Sequence, residues 1–347
     1  MHLQSTVPGS VCTGPCVINT SRKTNQSAGS VATGRRVRRQ PAVYSTSRMI
    51  PILGTTFVAL MGLAFGSFLN VCLTRWPKEE CIVSPRSHCR DCYHVLTWWE
   101  NVPLVSWLAL RGRCRVCRAS IGWRYPVVEL AVAVLWSLSA WKLFSLLSEV
   151  ELPLIQAYDD ILIAVGWMLF YWLIVGLAFL DAEHLWLPDR LTITGAVLGC
   201  LVATLHAWLV AESPMRNMNQ TVSNAVRSAF LSNVGGMAIA AGLILFISGI
   251  YWLMRRREGI GPGDARLMAL LAAWLGLPDA LLAFGLGVVL GALVALVLLA
   301  VRTNEQSGSE GWALTRLPLG TFLCIGGLVS SFWSERMITG YLRWAGF

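Results

Sequence analysis

Residues 161–181 read Ile-Leu-Ile-Ala-Val-Gly-Trp-Met-Leu-Phe-Tyr-Trp-Leu-Ile-Val-Gly-Leu-Ala-Phe-Leu-Asp. An uncharged run over 161–180, rich in Leu, Ile and aromatic rings, has the length an α-helix needs to cross a hydrocarbon core about 30 Å thick. It stops on a carboxylate, Asp181. Outward from it, similar apolar runs occupy roughly 50–73, 125–147, 190–210, 233–254, 265–277, 279–301 and 317–333, the sixth of the eight being short. The expected fold is therefore all-α: a polytopic membrane protein with about eight transmembrane helices.

Composition supports this. Of 347 residues, 55% are hydrophobic and 14% charged, against roughly 25% charged in an ordinary soluble domain, which excludes a disordered chain and a conventional soluble enzyme. The net charge of +9 rests on 25 Arg and 3 Lys. Nucleic acid is not an expected partner, because the excess of basic residues in cytoplasmic loops of membrane proteins explains the charge more simply. The cysteines are dispersed, which argues against a disulfide-rich secreted module.

Four regions follow. Residues 1–48 form a polar, basic extension without core-forming residues, expected to be disordered or to precede a true start at Met49. Residues 49–73 are the first membrane helix; a signal peptide is not expected, since no small-residue cleavage site follows. Residues 74–124 carry nine basic side chains, among them Arg75, Arg90, Arg115 and Arg124, against four acids, and are read as a cytoplasmic loop domain. Residues 125–347 supply seven further membrane helices. The stretch from Ser148 to Asp160 has Glu149, Glu151, Asp159 and Asp160 but no Lys or Arg, and is placed outside. Arg255, Arg256 and Arg257 end the fifth run, and Arg302 and Arg316 flank the last connection, all on the cytoplasmic side. Alternation then sets both ends of the membrane core outside.

Within the loop, Cys89-Arg-Asp-Cys92 and Cys114-Arg-Val-Cys117 are two C-x-x-C knuckles. Two such knuckles at this spacing complete a tetrahedron of thiolates around zinc with no open position for water, a structural rather than catalytic site. Redox-active dithiols or a vestigial site are the alternatives. Cys12 and Cys16 form a weaker pair. Cys72, Cys200 and Cys324 lie in apolar runs and are expected to pack.

Two carboxylates sit at the membrane boundary. Asp181 opens the block Asp181-Ala-Glu183-His184-Leu-Trp-Leu-Pro188-Asp189, and Asp264 lies in Gly259-Ile-Gly261-Pro-Gly263-Asp264. Ionisable groups at such a depth mark function or are paired. Two carboxylates sharing one proton divide the work of peptide hydrolysis, one activating water and the other polarising the scissile carbonyl. The bland readings are helix capping for Asp181, Asp189 and Asp264, a loop arginine as partner for Glu129, and a solvated histidine at His184, which would otherwise tune Asp181. The Gly-rich segment is not a phosphate loop, since no Lys-Ser/Thr follows.

Gly66-Ser-Phe-Leu-Asn70-Val, Arg75-Trp-Pro77, the two C-x-x-C pairs, Trp99-Glu-Asn-Val-Pro103, Arg124-Tyr-Pro-Val-Val-Glu129, the Asp181–Asp189 block and Gly-x-Gly-Asp264 occur in this order. Together they resemble the bacterial type IV prepilin leader peptidases, membrane aspartic proteases that also N-methylate their product. The resemblance covers about 50–347. It implies catalytic roles for Asp181 and Asp264 and identifies Cys89, Cys92, Cys114 and Cys117 as the family's cysteine tetrad. It also implies an inner-membrane enzyme that removes a basic leader from prepilin or pseudopilin precursors at the cytoplasmic face, then methylates the new N-terminus with S-adenosylmethionine. A basic leader beside a basic loop is not complementary, so membrane lipid or the carboxylates are expected to hold it.

Two positions depart from the pattern. Arg266 stands where the family usually has lysine and is expected to keep a cation near Asp264. Leu317-Pro-Leu-Gly320-Thr321 replaces the usual Pro-Phe-Gly-Pro, a turn expected to support the methyl-transfer half. No nucleotide fingerprint marks the S-adenosylmethionine site. The rival readings are a catalytically inactive assembly factor of pilus or type II secretion machinery, and a transporter or channel with a zinc-ribbon loop.

Overall fold

The structure, a computed structural model, describes residues 46–149, 153–213, 221–256, 261–302 and 317–346. The basic extension through Arg39, Cys12 and Cys16, and Glu151, Arg257, Gly259 and Arg316 lie outside the described residues. The helices are α1 (Thr46–Arg75), the single-turn α2 (Val105–Ala109), α3 (Arg124–Glu149), α4 (Leu154–His184), α5 (Asp189–Glu212), α6 (Val222–Arg255), α7 (Pro262–Leu275), α8 (Leu277–Arg302) and α9 (Leu319–Ala345). The long helices fall on the expected apolar runs, and the protein is an all-α, multi-pass membrane protein.

Among the described residues, six of the helices, α1, α3, α4, α5, α6 and α8, are long and apolar enough to cross a membrane, so the expected count of eight spans is not confirmed. The other two differ for separate reasons. α7 has 14 residues, about 21 Å at 1.5 Å per residue, short of the core thickness. α9 runs on to Ala345, carrying Glu335, Arg336 and Arg343 beyond its apolar part.

α4 is the central helix. Half of its most apolar window is buried, against 11% for α6 and α8, whose flanks of Leu, Val and Phe side chains are left for lipid. Phe170, Ile174 and Leu177 of α4 pack with Leu267, Met268 and Leu271 of α7, Ile244 of α6 and Leu323 of α9. A short helix buried on nearly every side is stabilised by that packing rather than by its own propensity.

A second cluster joins α1 to α3 and α4 through Leu69, Leu73, Val128, Val132, Val175 and Leu180. A Cβ on Gly62 would stand 2.8 Å from the Ala133 Cα, and one on Gly66 2.7 Å from the Glu129 Cα. This G-x-x-x-G face lets two helix backbones touch, the packing that replaces hydrophobic driving force inside lipid. Indole N–H groups satisfy carbonyls across helices: Trp136 donates to Met168 O at 2.8 Å and Trp172 to Phe65 O at 3.1 Å.

The loop between α1 and α3 is pinned where it leaves and re-enters the bundle. Asn70 Nδ2 donates to Tyr125 O at 2.9 Å. Buried Arg75 donates to the carbonyls of Cys81, Ile82 and Pro85. The two knuckles share one backbone design. Each is closed by an isolated antiparallel bridge, His88 with Val95 and Arg113 with Ser120. Each ends on a left-handed residue, Tyr93 at φ 57° and Arg118 at φ 60°.

Candidate active site

Asp181 occupies the last turn of α4. That helix stops because Leu185 turns left-handed, its N–H bonding Asp181 O at 2.9 Å, and Pro188 then opens α5. Asp181 is buried, with 6% of its surface exposed. Thr321, at the start of α9, donates to Asp181 Oδ2 from its amide at 2.6 Å, and its hydroxyl, with one proton to give, lies 3.1 Å from both Asp181 Oδ2 and Ala178 O. Gly320 makes this approach possible, since a Cβ there would lie 2.9 Å from Asp181 Oδ2 and 3.0 Å from Leu187 Cδ1. The Leu317–Thr321 turn therefore supports Asp181, where the sequence suggested a role in methyl transfer.

Asp264 enters from the other side of Leu187. It is the third residue of α7, after Gly261 and Pro262, with its N–H on Gly261 O at 3.2 Å. Gly263 backs onto Leu187, a Cβ there falling 3.4 Å from Leu187 Cβ. Leu187 is thus packed between the Gly320 turn, which supports Asp181, and the Gly263 turn, which bears Asp264. Burial, and next the charge of Asp181, push the Asp264 carboxyl up to about 6. The structure brings Asp181 and Asp264 together from residues 83 positions apart; no side-chain cap holds α5 or α7, and Asp181 instead takes a first-turn amide of α9.

The remaining charged groups pair elsewhere. Arg266 forms its ion pair with Asp189, not Asp264. Its helix begins at Pro262, and residue 266 faces Asp189 at the start of α5. Asp189 engages in that pair instead of capping α5. Glu129 takes the backbone N–H of Leu104 on Oε2 at 2.8 Å rather than a loop arginine, because the loop descends onto α3 at that point. His184 is exposed and approaches Glu183 at 3.9 Å. Arg124 Nη1 meets Glu183 at 2.6 Å and its Nη2 meets Thr74 at 2.9 Å, tying the foot of the loop to the helix that carries Asp181.

In the loop, the four sulfurs of Cys89, Cys92, Cys114 and Cys117 lie within 4.8 Å of one another. Cys89 to Cys117 is 3.7 Å and Cys92 to Cys114 is 3.9 Å. All four are free thiols, and the set could hold a metal ion. Cys72 and Cys324 are fully buried, as expected of packing residues.

Residues 60–143 match the bacterial peptidase A24 N-terminal domain, and residues 167–296 match the type IV leader peptidase family. A prepilin leader peptidase/N-methyltransferase of Pseudomonas aeruginosa is 32% identical over 86% of this chain and 96% of its own length.

The chain belongs to the type IV leader peptidase family.

Other members of that family agree with it. The prepilin leader peptidase/N-methyltransferase of Pseudomonas putida is 31% identical over 86% of this chain and 97% of its own. That of Aeromonas hydrophila is 32% identical over 84% and 95%. No solved structure matches the chain. Both aspartates lie in the match to the peptidase family, and all four cysteines lie in the match to the N-terminal domain.

Sequence reasoning missed Gly320 and Thr321 as site residues, and the Arg124–Glu183 pair. The departure at 317–321 from the family pattern was the one available signal for the first two.

Proposed function

We propose that this protein is a membrane-embedded aspartic endopeptidase that removes the basic leader of type IV prepilin-like or pseudopilin precursors. It acts at the cytoplasmic face of the bacterial inner membrane and then N-methylates the new N-terminus. The meeting of Asp181 and Asp264 around Leu187 carries the reading.

Their roles follow from what each can do. An amide N–H only donates, so Asp181 Oδ2, which takes the Thr321 amide, carries no proton. We assign Asp181 as the base and Asp264, whose carboxyl burial and the neighbouring charge keep protonated up to about pH 6, as the acid. Asp181 takes a proton from water as the oxygen attacks the scissile carbonyl carbon, and Asp264 gives its proton to the carbonyl oxygen. Asp181 returns a proton to the leaving amine, the C–N bond breaks, and Asp264 regains its proton as the carbonyl re-forms.

Cys89, Cys92, Cys114 and Cys117 would hold a structural zinc ion. Zn–S bonds of about 2.3 Å in a tetrahedron set sulfurs roughly 3.8 Å apart, beside which the 3.7 and 3.9 Å separations sit well. The ion would supply folding free energy to a loop with few apolar residues. S-adenosylmethionine, when bound, supplies a methyl group on positively charged sulfur to an unprotonated amine. The regions would be the membrane helix 49–73, the zinc-binding domain 74–124 and the peptidase domain 125–347, with membrane lipid around the substrate's apolar stem. Co-expression of a prepilin precursor with wild type, Asp181→Asn or Asp264→Asn tests this. Each substitution abolishes leader removal by mass spectrometry; near-normal cleavage by either variant rejects the dyad and favours an inactive assembly factor.

A further inference from the structure

Where α1 ends and the loop begins, a cavity of about 440 Å³ lies between them, within the range of about 300–1,000 Å³ for small-molecule sites. Ala64, Phe68 and Val71 form its floor, spaced four and three residues apart and therefore on one face of α1. The face continues away from the loop through Met61 and Phe57, which are 39% and 64% exposed. Because α1 is long and apolar enough to cross a membrane, this stripe faces acyl chains. Phe68 precedes Arg75 by seven residues, about 10 Å along the axis at 1.5 Å per residue. The floor is thus set within the hydrocarbon and the roof at its edge.

The roof comes from the loop. Val83 and Trp98 are 89% and 81% exposed there, an unfavourable arrangement in water. At a membrane surface the same tryptophan is in its preferred setting, at headgroup level.

Charge selects the occupant. The wall holds two guanidiniums, Arg75 and Arg86, and no Asp, Glu or Lys. Arg75 bonds three carbonyls, which leave its charge unneutralised. Arg86 is exposed, and among the described residues its side chain has no hydrogen bond or ion pair. The adjoining cavity of about 520 Å³, which shares Arg75, adds Lys78, Arg90 and Arg115 but sets these four cations against four carboxylates. Of the two cavities, only the one over the lipid stripe carries uncompensated positive charge. A basic peptide would meet like charge there, whereas a phosphodiester finds a planar guanidinium that can donate two parallel hydrogen bonds.

We propose that this cavity holds one anionic phospholipid from the leaflet around the foot of the loop. An acyl chain lies along the stripe from Phe68 towards Phe57, and the phosphate sits against Arg86 with Arg75 behind it. The bound lipid fastens the loop to the membrane helix from which it leaves. The site is separate from the aspartates and does not depend on the reaction they perform.

A photoactivatable, radiolabelled phosphatidylglycerol, applied to the full chain in detergent and followed by peptide mapping, tests the site. Saturable label is expected on peptides covering 57–71 and 82–98, displaced by unlabelled phosphatidylglycerol but not by phosphatidylcholine or inorganic phosphate. Arg86→Glu is expected to cut that label at least fivefold and Arg86→Lys to keep most of it. Arg113 is an exposed loop arginine outside both cavities, and Arg113→Glu is expected to leave the label unchanged. Equal displacement by phosphatidylcholine or by inorganic phosphate, or an equal loss in Arg113→Glu, overturns a defined anionic-lipid site. Label absent from these peptides, or unaffected by Arg86→Glu, overturns it outright. Displacement by a prepilin precursor and not by phosphatidylglycerol gives the cavity to the substrate and overturns it as well.

Discussion

Thr321 sets its amide on one oxygen of Asp181, a residue 140 positions earlier in the chain, and holds its hydroxyl within reach of that oxygen and of Ala178 O. The backbone donor is fixed by the turn into α9, whereas the hydroxyl can be removed alone. Hydrogen bonds to charged groups contribute about 1.5–3 kcal/mol, so Thr321→Val is expected to lower kcat by roughly ten- to a hundredfold with little change in KM. Thr321→Ser is expected to restore most of the rate. Steady-state cleavage of a prepilin precursor in detergent measures both.

Gly320→Ala is expected to be more damaging than its size suggests. The added methyl would stand 2.9 Å from Asp181 Oδ2 and 3.0 Å from Leu187, so the carboxylate or the α9 turn must shift. Displacements near 1 Å at a reacting group cost about a hundredfold. The same kinetic assay, with circular dichroism to show retained helix, checks the loss.

The raised carboxyl of Asp264, at about 6 against an ordinary 3.8, sets two pH dependences. Its stabilising contribution is complete below pH 3.8 and is lost as pH rises through about 6, because the fold prefers the protonated form. Asp264→Asn is therefore expected to melt higher than wild type at pH 7 while failing to cleave. Cleavage by wild type is expected to decline on an alkaline limb that begins no lower than about pH 6, as the dyad loses its shared proton. Thermal melts and kcat/KM across pH 4–9 decide both.

Removing the loop metal is expected to unfold the loop locally and spare the bundle. Strong chelation or Cys89→Ser should lower bound zinc from about one ion per chain towards none. Proteolytic cuts should then appear within 76–123, with the far-ultraviolet helix signal nearly unchanged. Metal analysis and limited proteolysis read this directly.

Much of this architecture was legible in the residues. Apolar runs located the long helices, because in lipid a helix must satisfy its own backbone and so needs a continuous stretch. Asp181 and Asp264 stood out as carboxylates abutting such runs, and the knuckles as two thiol pairs at a familiar spacing. Partnerships across the fold were not legible. Nothing in Arg266 announces Asp189, and nothing in Glu129 announces the Leu104 amide, since each contact depends on how two distant elements come to rest. Gly320 and Thr321 are ordinary residue types whose importance arises only from closeness to Asp181. Helix ends were also beyond reach. α6 begins at Val222, eleven residues before its expected apolar run, because Ser, Asn and Arg extend a helix past the membrane without an apolar signature.

The seam at Gly62 and Gly66, with Asn70 clasping Tyr125, brings the departing and returning strokes of the chain to one doorway. What hangs between them is, in mechanical terms, a cassette. Its contents can be exchanged, enlarged or trimmed to a short bridge without asking the supporting pillars to shift.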